Sequence, residues 1–162
     1  MTARIGINGM GRIGRLALRA VLGGVRDYVL AGKEALDIVH VNEVAGDAAT
    51  TAHLLEFDSV HGRWREQITA DENSIRIGDT RMGHASESIP GDVAWEASGI
   101  DIVLECTGKF RTPELLAPYF ERGVKKVIVA APVKEGALNI VMGVNDDLYD
   151  PAVHDQLPGA RG

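Results

Sequence analysis

Arg4-Ile5-Gly6-Ile7-Asn8-Gly9-Met10-Gly11-Arg12-Ile13-Gly14-Arg15 decides how this chain is read. Arg4 to Asn8 has the composition of a short strand, and a helical pattern starts at Arg12 and runs on through Leu16, Leu18, Val21 and Leu22. Between them Gly9, Gly11 and Gly14 form a G-x-G-x-x-G turn. Gly9 allows the tight exit from the strand. Gly11 carries no side chain, so a pyrophosphate can approach the backbone. Gly14 lets the helix pack closely on the strand. The free N–H groups of the helix start and the positive end of its dipole then suit a phosphate anion.

A glycine turn alone is weak, because ordinary turns also collect glycine. Here a strand precedes it, a helix follows it, and an acidic strand end comes later, Asp37-Ile38-Val39-His40-Val41-Asn42-Glu43. Glu43 can accept hydrogen bonds from both hydroxyls of an adenosine ribose and would repel a 2′-phosphate, which favours NAD over NADP. The interval from Gly14 to Glu43 exceeds the usual value of about 20 residues. The excess is placed around Arg26 to Glu34, in the first helix or its exit loop. The bland alternative is a βαβ unit with a glycine turn and no ligand.

The 162 residues suit one domain with a sizeable core. The 17 basic and 23 acidic residues disfavour non-specific binding to nucleic acid or to a membrane surface. No apolar run approaches the roughly 20 residues of a membrane span, and the N-terminus shows no signal-peptide layout. Cys106 is the only cysteine, so neither an internal disulfide nor a cysteine-based zinc site is expected. Cytoplasmic residence fits these features.

In order, the first helix is expected over Arg12 to Leu22, with Gly23-Gly24 as a break or with continuation to Ala31. A strand over Ile38 to Asn42 follows, then a helix capped by Asp47 that runs through Leu55. Phe57 to Trp64 reads as a loop. Arg65 to Ala70 and Ser74 to Ile77 form a hairpin about Asp71-Glu72-Asn73. Gly78 to Gly91 reads as irregular, with room for one more short strand. Asp101 to Glu105 is a buried strand. Thr112 is the N-cap of a helix with Pro113 in its first turn and Gly123 after its end. Lys126 to Ala130 and Ile140 to Met142 are read as further strands. This alternation implies an α/β, Rossmann-type doubly wound, mostly parallel sheet, made mixed by the middle β-hairpin.

Ligands of such sheets sit beyond the carboxyl ends of the strands, where the strand order reverses. Asn8 to Gly11, Asn42-Glu43 and Thr107 to Phe110 therefore converge on one crevice. Phe110 either stacks on an adenine or fills core beneath the next helix. Thr107 and Gly108 either admit a cofactor or simply end a strand. Cys106 reads better as a small buried hydrophobe than as a nucleophile, since no base lies near it in sequence. The five histidines, at 40, 53, 61, 84 and 154, lack metal-ligand spacing. His40 belongs to core or crevice, His61 fixes loop structure, and Lys125-Lys126 is a solvated corner.

Gly6 to Arg15 resembles the opening of the glyceraldehyde-3-phosphate dehydrogenase family. So do Asp58-Ser59-Val60-His61-Gly62-Arg63, Thr107-Gly108-Lys109-Phe110, Lys125-Lys126-Val127-Ile128 and Met142-Gly143-Val144-Asn145. The likeness runs from Arg4 to about Gln156. It implies an NAD-binding domain in which Arg12 and Ile13 contact the pyrophosphate, Glu43 the ribose and Phe110 the adenine, with Asn145 near the nicotinamide end. In the full-length family the resemblance implies a cytoplasmic, tetrameric glycolytic oxidoreductase. It would oxidise an aldehyde phosphate through a cysteine thioester and pass hydride to NAD.

Three features depart from the family pattern. Glu43 replaces the usual aspartate, and an Asn-Glu pair before Ala-His-Leu-Leu is also similar to erythrose-4-phosphate dehydrogenase. Ala130-Ala131-Pro132-Val133-Lys134-Glu135 and Asn145 to Pro151 resemble the members that accompany arsenate resistance. Ala130 stands where a Ser or Thr is usual, removing a hydroxyl beside the cofactor. Residues 1–156 are thus expected to form the NAD-binding domain and residues 157–162 a non-family tail, with the Ser-Cys-Thr-Thr-Asn nucleophile segment and catalytic domain lacking. The chain alone is then expected to have no catalytic residues and to be a monomer or weak oligomer. A nucleotide-binding regulatory or interaction module without redox activity is the alternative, and RNA binding in the adenine pocket is disfavoured by the acidic balance.

Overall fold

The computed structural model describes residues 2–23, 36–150 and 154. The expected extension around 26–34, the continuation of the first helix to Ala31 and the tail at 157–162 lie outside the described residues. Strand β1 (Ala3–Asn8) leads through the glycine turn into helix α1 (Arg12–Leu22). Strand β2 (Leu36–Asn42) and helix α2 (Ala48–Glu56) follow. A small antiparallel pair, β3 (Phe57–Asp58) and β4 (Gly62–Arg63), punctuates the expected loop. The hairpin of β5 (Ile68–Ala70) and β6 (Ser74–Ile77) leads into β7 (Thr80–Ala85). Then come β8 (Ile102–Glu105), α3 (Pro113–Glu121) and β9 (Lys126–Val129).

The principal sheet has the order β5-β6-β7-β2-β1-β8-β9. From β7 to β9 all pairings are parallel, while β5 and β6 are antiparallel. Read along the parallel strands this is the Rossmann order, running outward from β1 through β2 to β7, then back to β8 beside β1. The reversal between β1 and β8 makes the crevice at their carboxyl ends.

Local chemistry accounts for the helix ends. Asp47 accepts from the Thr50 N–H at 2.7 Å, closing the start of α2. Thr112 occupies the cap position of α3 without a side-chain bond to the helix amides, and Pro113 fills the first turn, where no N–H is needed. Gly123, at φ +81°, takes the left-handed conformation that terminates α3.

Two cores flank the sheet. Ile5, Ile7, Ile38 and Val41 meet Leu18 of α1 and Leu55 of α2. Val103 and Val127 meet Leu116 and Tyr119 of α3, with the fully buried Trp95. Gly6 belongs to the second face: a Cβ there would stand 2.8 Å from the Trp95 ring. Ile5 pairs with Ile38, but Gly6 pairs with His40, leaving Val39 as an extra residue in β2. Val39 therefore packs with the second core, His40 sets its ring edge-on to Trp95, and Val41 returns to the first core.

The further strand allowed within Gly78–Gly91 is present as the six-residue β7, a member of the parallel set paired with β2 on one side and β6 on the other. Two expectations need correction. Ile140 to Met142 is not a strand but irregular chain that enters a turn at Met142. The Asn145 side chain accepts from the Val141 N–H at 2.6 Å and donates to the Asn139 carbonyl at 3.0 Å, folding this segment back on itself. The first hairpin strand also begins later than expected, at Ile68 and not at Arg65.

Candidate dinucleotide site

The glycine turn is clamped from both sides. Gly9 donates its N–H to the Asn42 carbonyl at 2.8 Å, and at φ +91° a Cβ on it would meet the Thr107 nitrogen at 2.8 Å. A Cβ on Gly14 would stand 2.1 Å from the Gly9 carbonyl oxygen, so α1 is seated directly on the turn. Gly11 is different: nothing lies within 4 Å of its notional Cβ. It is also the N-cap of α1, with no side-chain cap and no acidic residue in the first turn. The helix start therefore leaves amides and open space together, which is what an anion requires.

Glu43 forms the adjoining wall. Its carboxylate accepts from the Met10 N–H at 2.6 Å and from the Ala45 N–H at 2.8 Å. The side chain is thereby tied to the glycine turn, and each oxygen keeps a further lone pair for a hydroxyl donor.

Beneath the crevice runs a buried polar network that pattern reading missed. Asn42 donates to the Asn8 side-chain oxygen at 2.7 Å and clasps the Glu87 backbone through both its N–H and C=O, at 2.8 Å each. Asn8 donates to Glu105 at 2.8 Å. Glu105, wholly buried, also accepts from the Tyr119 hydroxyl and from both the N–H and the hydroxyl of Thr107. Burial, and next the Glu105 carboxylate, push the Tyr119 hydroxyl well above the usual tyrosine pKa. One signal was available: Glu105 lies two residues after the buried Val103 on an interior strand, a position whose side chain faces the core.

Residues 3–113 match the family described as glyceraldehyde 3-phosphate dehydrogenase, NAD binding domain. The chain belongs to that family. It is 55% identical over 160 residues to glyceraldehyde-3-phosphate dehydrogenase 3 of Nostoc sp.. It is 42% identical to glyceraldehyde-3-phosphate dehydrogenase 1 of Streptomyces avermitilis, and 41% identical to the glyceraldehyde-3-phosphate dehydrogenase of Geobacillus stearothermophilus. Each match takes in 99% of this chain and 45% of the relative, so the chain spans about half the length of these relatives. What it carries is the NAD-binding domain of glyceraldehyde-3-phosphate-dehydrogenase-like oxidoreductases, and its cofactor is NAD. The residues present fit that group: the uncapped helix start, the void above Gly11 and the anchored Glu43 lie side by side.

The structure brings together Asn8, Gly9, Gly11, Asn42, Glu43 and Thr107, while Arg12 and Ile13 project into solvent from the first turn of α1. Gly108, at φ +70°, is exposed with open space around it. Phe110 is half-buried against the second core. Ala130 is exposed and donates its N–H to the Glu105 carbonyl at 2.9 Å. Asn145 is engaged in its own turn, away from the clamped strand exits. Cys106 is half-buried, and burial, followed by the neighbouring Glu105, pushes its thiol up to about 11. Such a thiol is almost wholly protonated at neutral pH and a poor nucleophile. Asp58 accepts from the Val60 and His61 amides at 2.9 and 2.7 Å, and from the His61 ring at 3.1 Å, so His61 organises its loop. Lys125 pairs with Asp101 at 2.6 Å on the exposed corner. No described helix is long and apolar enough to cross a membrane.

Proposed function

We propose that this chain holds NAD across the exits of β1, β2 and β8, in the service of an oxidoreductase acting on a phosphorylated aldehyde such as glyceraldehyde 3-phosphate. Bound NAD supplies a hydride acceptor. The amides from Gly11 to Ile13 hold the pyrophosphate, and Glu43 takes the adenosine ribose hydroxyls. Thr107, Gly108 and Phe110 wall the adenosine, with Ala130 and Asn145 toward the nicotinamide end. On the same family resemblance, full-length members of the family are cytoplasmic tetramers that work through a cysteine nucleophile. The observation that carries the reading is the empty space above Gly11 at an uncapped helix start, bordered by a carboxylate bonded to the same turn.

Calorimetric titration with NAD and with NADP tests it. A 2′-phosphate would meet the Glu43 carboxylate, so NAD should bind at least about tenfold more tightly, the equivalent of some 1.4 kcal/mol. Glu43→Gln should narrow that ratio. Equal affinities in the unaltered chain would sink the ribose assignment. Gly11→Val should abolish binding of both nucleotides and leave the midpoint of unfolding nearly unchanged, since its side chain enters open space.

A further inference from the structure

We propose that Glu105 and Tyr119 are positioning residues for NAD, acting through the buried hydrogen-bond chain that ties four strand exits together beneath the crevice. The inference rests on the NAD site described above and concerns residues that do not face it. The chain runs from the Glu87 backbone after β7, through Asn42 at the end of β2 and Asn8 at the end of β1, to Glu105 at the end of β8. Thr107 in the following turn and Tyr119 of α3 complete it.

Each joint has a consequence at the surface. Asn42 presents its carbonyl to Gly9, and the next residue, Glu43, holds Met10. Asn8 precedes the glycine turn directly. Thr107 is the residue against which Gly9 is packed. The spacing between the glycine turn, Glu43 and Thr107 is therefore set by side chains that a ligand does not reach.

Glu105 is the acceptor at which the chain converges. Its two oxygens offer about four lone-pair sites, and four donors fill them: the Asn8 amide, the Tyr119 hydroxyl, the Thr107 N–H and the Thr107 hydroxyl. Tyr119 is fully buried and itself accepts from the Asn8 amide, so one phenol steadies both β1 and β8. A buried acceptor of this kind has no substitute in water, which makes loss of one donor costly. A hydrophobic residue at either position would fill the volume but leave the strand exits free to slide by tenths of an ångström. A ligand that bridges several exits feels such slippage strongly.

The test uses the whole chain with Tyr119→Phe, Glu105→Gln and, as control, Leu116→Ala on the same helix. Leu116 is equally buried and belongs to the second core. Its truncation should lower the unfolding midpoint more than Tyr119→Phe does. NAD affinity is measured by calorimetry well below every midpoint. Tyr119→Phe should weaken NAD about fivefold and Glu105→Gln about thirtyfold, while Leu116→Ala leaves affinity unchanged. Hydrogen exchange without nucleotide should show faster exchange at the amides of residues 9–11 and 107–109 in Tyr119→Phe, and not in Leu116→Ala. If Glu105→Gln does not fold, Tyr119→Phe decides. Unchanged affinity and exchange in Tyr119→Phe, or an equal affinity loss in Leu116→Ala, would overturn the assignment. Failure of the unaltered chain to bind NAD would instead sink the cofactor site, with the exchange arm still reading the positioning role.

Discussion

Two pairs of asparagines organise two regions of this molecule, with opposite results. Asn8 and Asn42 are each 2% exposed, and their side chains reach partners 34 to 111 residues away in sequence. Asn139 and Asn145 bond only within six residues of themselves. Around the second pair Val141, Met142 and Val144 are 60–80% exposed, and a cavity of about 930 Å³ separates segment 137–142 from β9. The first pair sets the mutual position of strands. The second closes turns through bonds that stay within the segment. Long-range bonds can open only when sheet contacts open, so the crevice shares the stability of the whole fold, whereas the turn is free to open at local cost.

The contrast is broken most directly at the glycines. Gly14→Ala drives a methyl group into the Gly9 carbonyl, 2.1 Å away, and should cost about 3 kcal/mol or more and abolish NAD binding. Gly143→Ala, at φ +79° with nothing within 4 Å, should cost only about 1 kcal/mol and leave NAD affinity intact. Urea unfolding and calorimetry on both variants decide this, and similar losses would erase the distinction. The asparagines sharpen it. Asn8→Ala strips a donor from buried Glu105 and an acceptor from Asn42, for an expected loss of about 3 kcal/mol. Asn145→Ala should lose less than about 1 kcal/mol, because water reaches the groups it frees.

Acid should act through the strand framework. Burial first, and His84 second, lower the His40 pKa to about 4, and its Nε2 is buried without a hydrogen-bond partner. Between that value and 6.5 the unfolded imidazole binds a proton that the folded one does not. Stability is then complete above pH 6.5 and declines as the pH falls toward 4, by about 3 kcal/mol from this residue. Burial moves His84 in the same direction. Melting curves from pH 7 to 4 should show the slope, and His40→Asn should flatten it. A flat profile in the unaltered chain would disprove the assignment. The smallest effect is expected at Cys106. With its thiol pushed up to about 11, alkylation by iodoacetamide at pH 7 should run about a hundredfold slower than for an unhindered thiol, and Cys106→Ser should leave NAD affinity unchanged. Rapid alkylation would mean that the β8 exit is looser than its hydrogen bonds imply.

The sequence was legible wherever one residue type had one physical reason to be in place. Gly9, Gly11 and Gly14 announced the turn, and Asp47 and Gly123 announced helix ends. Ile102 to Leu104 announced an interior strand. Strand β7 was harder to see, since Thr80-Arg81-Met82-Gly83-His84-Ala85 has only Met82 as a large apolar residue. Its second face is served by Gly83, which makes room for the His40 ring 2.6 Å from a notional Cβ. Ile140 to Met142 erred the other way: three apolar residues read as a strand, but the middle one, Val141, spends both its N–H and its carbonyl on Asn145. The Asn8–Glu105–Tyr119 cluster joins residues as far as 111 positions apart, and periodicity carries no signal of such a partnership. In the candidate site, the glycine turn, Glu43 and the strand ends Asn8, Asn42 and Thr107 could be found from sequence, while the bonding of those strand ends to one another through Glu105 and Tyr119 could not.

The surplus residue in β2 works as a phase shifter. A strand with strict alternation has one parity throughout, and whichever residues face one layer at its start must face that layer at its end. Val39 resets that parity midway, so the opening half of β2 and its closing half answer to different rhythms. Point substitutions within β2 leave the phase alone and are felt locally. With a regular pleat over the same seven residues, Val41 would be sent toward α3, or Ile38 away from α1. Removing Val39 would instead restore strict alternation with Ile38 and Val41 both still on the first core. The odd interval between Ile38 and Val41 is therefore tolerated only because one residue is set aside, and that one residue keeps Asn42 and Glu43 aimed at the glycine turn.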